Sequence, residues 1–287
     1  MRNIFFHGYD ISGEWPFERG WFISGGLSLI TLNVIYSWTL ITKPISISRR
    51  KLLIKLIINK YFISAFLFNI LMLSTGNRGY FVSFIISIFL IYIEINRGIK
   101  LKYLALIISL VVAFTSYVAI IRSGGTFSLE QIIDNFFYES FNVGITLLYH
   151  LQDMNYNLVE FPTILISKLI GIIPSAIFPG KFALMVSPDE IGKTVIRFQG
   201  TTHNYVELLL NFGLIGTIFF FFFLGIGFNW LKSKKHYTPI YIAASANIPF
   251  FFFRSFYDAT VKHILEFSIL LPLLILFISY AYRKYKT

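Results

Sequence analysis

The chain has 287 residues, of which 56% are hydrophobic and only 14% charged, with a mean hydropathy of +0.69. A soluble domain carries about 25% charged residues, so this composition excludes a surface wetted on all sides. The formal net charge of +11 suggests a nucleic acid or a membrane surface as partner, and its distribution favours the membrane, with no nucleic acid.

Taken in chain order, the apolar residues fall into blocks near the roughly 20 residues that a helix needs to cross a bilayer. The blocks are Trp21–Ile41, Leu56–Ser74, Gly79–Ile95, Tyr103–Ile121, Tyr205–Phe228, Tyr237–Phe253 and Ile264–Tyr282. The second is interrupted at its start by Asn59 and Lys60. The expected fold is all-α: a polytopic integral membrane bundle of about seven spans, residues 1–287 forming one domain.

Between the blocks, Lys and Arg gather in Lys43–Lys60, Arg97–Lys102, Lys232–Lys235 and Arg283–Lys286, which hold 15 of the 25 basic residues and no Asp or Glu. These connections alternate along the chain with the others. The positive-inside rule places them, and the C-terminus, in the cytoplasm. The first 20 residues lack a basic start followed by an apolar stretch, so no cleavable signal peptide is expected there and the N-terminus reads as external.

The other connections, Thr75–Arg78, residues 122–203 and Ser255–Lys262, are then external, and residues 122–203 form a large, partly helical loop of a length usually reserved for functional or disordered segments. Order is favoured. Glu130–Leu151 carries Ile132, Ile133, Phe136, Phe137, Phe141 and Ile145 at helical spacing, with Glu130, Asp134 and Glu139 elsewhere, which predicts an amphipathic helix. Phe161–Lys181 is apolar but broken by Lys168 and Pro174, and reads as a re-entrant or interfacial element.

Polar groups at membrane depth are costly and mark function or a bundle-facing pair. Arg78, Arg122 and Arg197 each offer a planar fork matched to phosphate, with headgroup contact or a solvated loop charge as the other reading. His203, Glu207 and Asn211 stand at i, i+4 and i+8, on one helical face. Gly213 and Gly216 below them have the spacing that lets helices approach. No HExxH, GxSxG or GxxxxGK[ST] is present and there is no cysteine, so neither a metal nor a cofactor is expected.

Three short stretches carry a resemblance. "STGNRGYF" has an Arg-Gly element before a span, "HNYVELLLNFGLIG" has His-Asn followed by Gly-x-x-Gly, and "IIPSAIFPGK" has Pro-x-x-x-x-Pro-x-Lys. Together, with the Arg-Gly element first, the Pro/Lys element inside the long loop and the His-Asn element closing it, they resemble the O-antigen polymerase (Wzy) and O-antigen ligase superfamily over roughly Leu71–Phe228. The resemblance implies a metal-independent glycosyltransferase of the bacterial inner membrane. It would join undecaprenyl-pyrophosphate-linked oligosaccharide repeat units on the periplasmic face, with a chain-length regulator as protein partner. It puts Arg78 in the place of a pyrophosphate-binding arginine and His203 in that of the loop-closing histidine; by its chemistry His203 would act as general base on the acceptor hydroxyl or donate a hydrogen bond to a phosphate, with Glu207 orienting the imidazole. Arg122 and Arg197 match by position. Asn204 and Lys181 come with their motifs as substrate-binding residues. The family commonly has more spans, so this chain reads as a short member. The ligase, which moves finished polysaccharide to lipid A core, is the nearest alternative. A lipid-linked sugar transporter and a structural membrane subunit are the alternatives of other classes.

Overall fold

A computed structural model describes residues 19–42, 48–74, 78–96, 98, 100–123, 128–153, 157–173, 176–186, 204–249 and 257–286. Among the described residues all regular structure is helical. In chain order the helices are α1 (Arg19–Thr42), α2 (Arg49–Ile57), α3 (Lys60–Ser74), α4 (Arg78–Asn96), α5 (Leu101–Ser123) and α6 (Leu129–Asp153). They continue with α7 (Thr163–Ile170), α8 (Asn204–Ser233), α9 (Thr238–Ala246) and α10 (Leu271–Lys286). Short 3₁₀ turns lie at Pro179–Leu184 and Lys235–Tyr237, and a π-helical stretch at Tyr257–Leu270 leads into α10. A helix satisfies its backbone internally, which is what an apolar surrounding demands.

Among the described residues, four helical stretches are long and apolar enough to cross a membrane: Ser24–Thr42, Gly79–Asn96, Asn204–Ser233 and His263–Tyr282. A fifth follows if the bent pair Lys51–Ile57 and Lys60–Met72 is one span. Hydropathy alone suggests about seven, and at one block the described residues differ for a local reason. The block Tyr237–Phe253 holds a helix of only nine residues, α9, which rises about 13.5 Å. It gives way to a turn before Pro249, whose ring cannot follow an α-helical residue or donate into the ladder. The helix α5, 23 residues long, covers the whole block Tyr103–Ile121.

The bend of 51° between α2 and α3 is built by one residue. Asn59 accepts a hydrogen bond from the Phe62 N–H through Oδ1 at 2.8 Å, which makes it the N-cap of α3. Its Nδ2 donates to the Leu56 carbonyl near the end of α2. A single buried amide therefore serves both helix ends.

The chain divides into two compact units, and the boundaries fall inside α6, at both ends of α9 and inside the π-helical stretch. The first unit comprises Met1–Tyr138, Thr238–Ala246 and Phe267–Thr287. Its core joins α1, α2, α4 and α9 through Val34, Leu40, Leu56, Ile91, Ile95, Ile242 and Ala243, and α1, α3 and α4 through Ile30, Ala65 and Phe84. Thr31 Oγ1 donates to the Phe267 carbonyl at 2.9 Å and Ser268 Oγ to the Ala243 carbonyl at 3.3 Å, tying the C-terminal element to α1 and α9. Buried Asn69 and Ser87 donate back to carbonyls of their own helices at 2.7 Å, the usual way a polar side chain is accommodated in an apolar bundle. The second unit comprises Glu139–Tyr237 and Asn247–Glu266 and contains α7 and α8.

Candidate functional site

The segment expected to be a plain span, α8, is broken. Gly213 has φ 70° and ψ −173°, so residues 204–212 and 214–233 are separate helical arms. The rings of Phe212 and Phe220 lie 5.7 Å apart and those of Tyr205 and Phe221 5.3 Å apart. In a straight helix, eight residues rise about 12 Å and sixteen about 24 Å. The first arm is therefore folded back along the second.

Residues 157–160 hold the reversal open. Leu214 N–H donates to the Asn157 carbonyl at 3.2 Å and Ile215 N–H to the Leu158 carbonyl at 3.0 Å, while the Phe212 carbonyl accepts from Glu160 N–H at 3.2 Å. Thr217 Oγ1 donates to the Gly213 carbonyl at 2.7 Å. These bonds take up backbone groups that the break releases, as an apolar surrounding requires. Asn157 Nδ2 donates to Glu160 Oε1 within the same segment. A Cβ at Gly213 would stand 2.6 Å from the Asn157 carbonyl oxygen and 2.8 Å from that of Leu158. Gly213 is thus a hinge in the left-handed region and not, as its spacing with Gly216 suggested, a contact between continuous helices.

The short helix α7 lies along the first arm. Ile164 packs with Val206 and Leu210 and with Leu147 of α6, and Leu208 packs with Leu165, Ile172, Phe212, Phe220 and Phe221. A polar ladder runs down this apolar contact. Pro162, the N-cap of α7, supplies no side-chain acceptor. Asn211 of the facing arm replaces it: its Oδ1 accepts from the Leu165 N–H at 2.7 Å, and its Nδ2 donates to the Glu207 carbonyl at 2.7 Å. An N-terminal N–H of α7 that its own helix leaves unpaired is thereby satisfied. Replacing Asn211 by Leu removes that acceptor from a buried N–H, and we expect a loss of about 1–3 kcal/mol in unfolding free energy, measured in detergent micelles.

One turn away, Lys168 Nζ meets Glu207 Oε2 at 3.2 Å, with 15% and 6% of the side chains exposed. Each charge suits its helix end: Lys168 is in the last turn of α7, and Glu207 is in the first turn of α8. Beyond the C-terminal end of α7, Lys181 donates from Nζ to the carbonyls of Gly171 at 2.8 Å and Ile173 at 2.6 Å. Ser167 Oγ accepts from the Val186 N–H at 3.1 Å, which draws the following segment onto the same helix.

Asn204, Glu207, Asn211 and Lys181 are all buried; the first three share one face of the first arm of α8, and Lys181 closes on the carbonyls beyond α7. Glu207, expected to orient His203, has its carboxylate on Lys168, and Lys181, expected to meet substrate, closes the end of α7 with two donors. His203 and Arg197 lie outside the described residues. Arg78 opens α4 and Arg122 lies in the last turn of α5, but their side chains lie outside the described residues. Lys168 is the residue that sequence reasoning passed over. Its signal was there, as the one charge inside an apolar run, where a partner is the rule. His150, 2% exposed and one turn beyond Leu147, was also missed. Among the described residues no group of three or more His, Cys, Asp or Glu could hold a metal.

Comparison with protein-family models, with curated proteins and with solved structures finds no match to this chain. What the residues themselves define is a helical protein with several segments able to cross a membrane, carrying a buried, ion-paired polar ladder on a folded-back helix arm.

Proposed function

We propose that the protein is an integral-membrane glycosyltransferase of the O-antigen polymerase type, acting on lipid-linked oligosaccharide repeat units at the periplasmic face of the bacterial inner membrane. The observation that supports this most is the arm that begins at Asn204, directly after His203. It carries Asn204, Glu207 and Asn211 on one buried face and is held back on itself by Gly213. A chain that only needed to cross a membrane has no use for three buried polar groups and a reversal in nine residues.

In this reading the acceptor hydroxyl gives its proton to His203 as its oxygen bonds the anomeric carbon of the donor. The bond from that carbon to the phosphate oxygen breaks, and undecaprenyl pyrophosphate leaves with the electron pair. Arg78, Arg122 and Arg197 stabilise the charge that develops on the leaving group. The Lys168–Glu207 pair fixes the arm that directly follows the base in sequence, a positioning role. No cofactor or metal takes part, and the C-terminus is cytoplasmic.

The test is complementation of a deletion strain, read by lipopolysaccharide gel. His203→Ala and Arg78→Ala should each abolish the polymer ladder and leave a single repeat unit on the core. Ladders of normal length from both variants would rule the assignment out, and a core bare of any repeat would point to the ligase.

The reversal at Gly213 favours a second reading, a lipid-linked sugar transporter, because broken helices are a common mark of transporter binding sites. Reconstituted liposomes separate the two. The polymerase lengthens glycan on one leaflet without moving it, whereas the transporter moves glycan without lengthening it.

A further inference from the structure

Asn204 is 1% exposed, and neither its Nδ2 nor its Oδ1 has a hydrogen-bond partner within the protein. An amide buried with both donor and acceptor unmade bears the full desolvation of both, so native chains rarely leave one without a purpose. Its place in the fold follows from the register of the polar ladder. Asn211 meets Leu165 and Glu207 meets Lys168, so α7 and the first arm of α8 run antiparallel. Leu208 packs with Ile172. One further turn brings Asn204 level with the C-terminal end of α7, where the Lys181 ammonium closes on Gly171 and Ile173.

The chemistry of the orphaned pair selects the ligand. Nδ2 needs an acceptor and Oδ1 needs a donor, side by side in one plane. The ionised oxygens of a lipid-linked pyrophosphate diester are acceptors only and would leave Oδ1 unmatched. A cation would suit Oδ1 and oppose Nδ2. A hydroxyl or an acetamido group on a sugar ring offers both partners together. We propose that Asn204 is a sugar-recognition residue, its amide pairing with a hydroxyl or acetamido group of the glycan at the closed end of the α7–α8 pair. The choice of a sugar among groups that both donate and accept rests on the glycosyltransferase reading.

The experiment uses the full chain purified in detergent micelles, followed by thermal unfolding with glucose, N-acetylglucosamine or inorganic phosphate. Asn204→Leu, which keeps the volume and deletes both polar atoms, is compared with the native protein. The expected result is a rise in Tm with one or both sugars that Asn204→Leu loses. A larger response to N-acetylglucosamine assigns the acetamido group, and an equal response assigns the hydroxyl. The proposal is overturned if phosphate alone gives the rise, if Asn204→Leu keeps the sugar response, or if no sugar acts on the native protein. In that last case a higher Tm for Asn204→Leu would mark the amide as a structural burden. With lipid-linked oligosaccharide as substrate, Asn204→Leu should raise KM at least tenfold while kcat changes little. Sugar binding without any polymer would retain the site and remove the polymerase reading. Polymer made by Asn204→Leu at native KM would remove the site and retain the reading.

Discussion

Replacing Gly213 by Ala lowers the unfolding free energy by about 2–4 kcal/mol, while the same change at Gly225, twelve positions on in the same helix, is neutral or stabilising by up to about 1 kcal/mol. The opposite signs follow from local geometry. A Cβ at Gly213 meets two backbone carbonyl oxygens at 2.6 and 2.8 Å, on a residue with φ 70°. Backbone atoms held in the turn of residues 157–160 cannot swing aside as a side-chain end would. The left-handed conformation adds about 1–2 kcal/mol for any residue with a Cβ. At Gly225 nothing lies within 4 Å of the added carbon, and alanine is the better helix former. Thermal unfolding of both variants in micelles decides the matter. If α8 were a straight rod, Gly213→Ala would stabilise it just as Gly225→Ala does.

The second large effect is at the ion pair. Lys168→Met and Glu207→Gln each leave one charge in a site where the side chains are 15% and 6% exposed. Removing one partner of such a pair costs about 3–5 kcal/mol when fully buried, and about 3 kcal/mol is expected here because Lys168 keeps some access to solvent. The double variant should cost less than the sum of the two singles, with a coupling energy of about 1.5–3 kcal/mol in a double-mutant cycle. Strict additivity would mean that the two charges do not sense one another. If the proposed function holds, the single variants should also lower glycan polymerisation by more than the double variant does, because the pair fixes the arm that carries Asn204.

Legibility in the sequence differed from element to element, for physical reasons. The helix α6 (Leu129–Asp153) matches the expected Glu130–Leu151 to within two residues at each end. Its apolar spacing is local, and Ser128 followed by Gln131 announces its start, with Ser128 Oγ accepting from the Gln131 N–H at 3.2 Å. The inward face of Glu207 and Asn211 was legible because three polar residues at a four-residue interval, in an apolar run, leave a helix one sensible orientation. The reversal at Gly213 was not legible. A glycine in an apolar run reads equally as a point of close approach, and what forces the left-handed conformation is a carbonyl-bearing turn at residues 157–160, distant in sequence. The partner of Glu207 was hidden likewise, since Lys168 lies 39 residues away. The short α9 could have been anticipated from Pro249, had the ring been weighed above the hydropathy of its neighbours. The expected roles of Arg78, Arg122, Arg197 and His203 rest on side chains outside the described residues.

The bonds that hold the reversal have a bearing on the order of assembly. Leu214 pairs with Asn157 and Ile215 with Leu158, each 57 positions apart (214 minus 157 and 215 minus 158), and Phe212 pairs with Glu160 across 52. Contacts of such sequence separation form late, after the intervening chain has closed. During synthesis residues 157–160 emerge first and must await the apolar stretch that they will cleave into two arms. Amide hydrogen exchange should record that history: the Leu214 and Ile215 N–H groups should open together with that of Glu160 as one cooperative unit, separate from the continuous helix beyond Thr217.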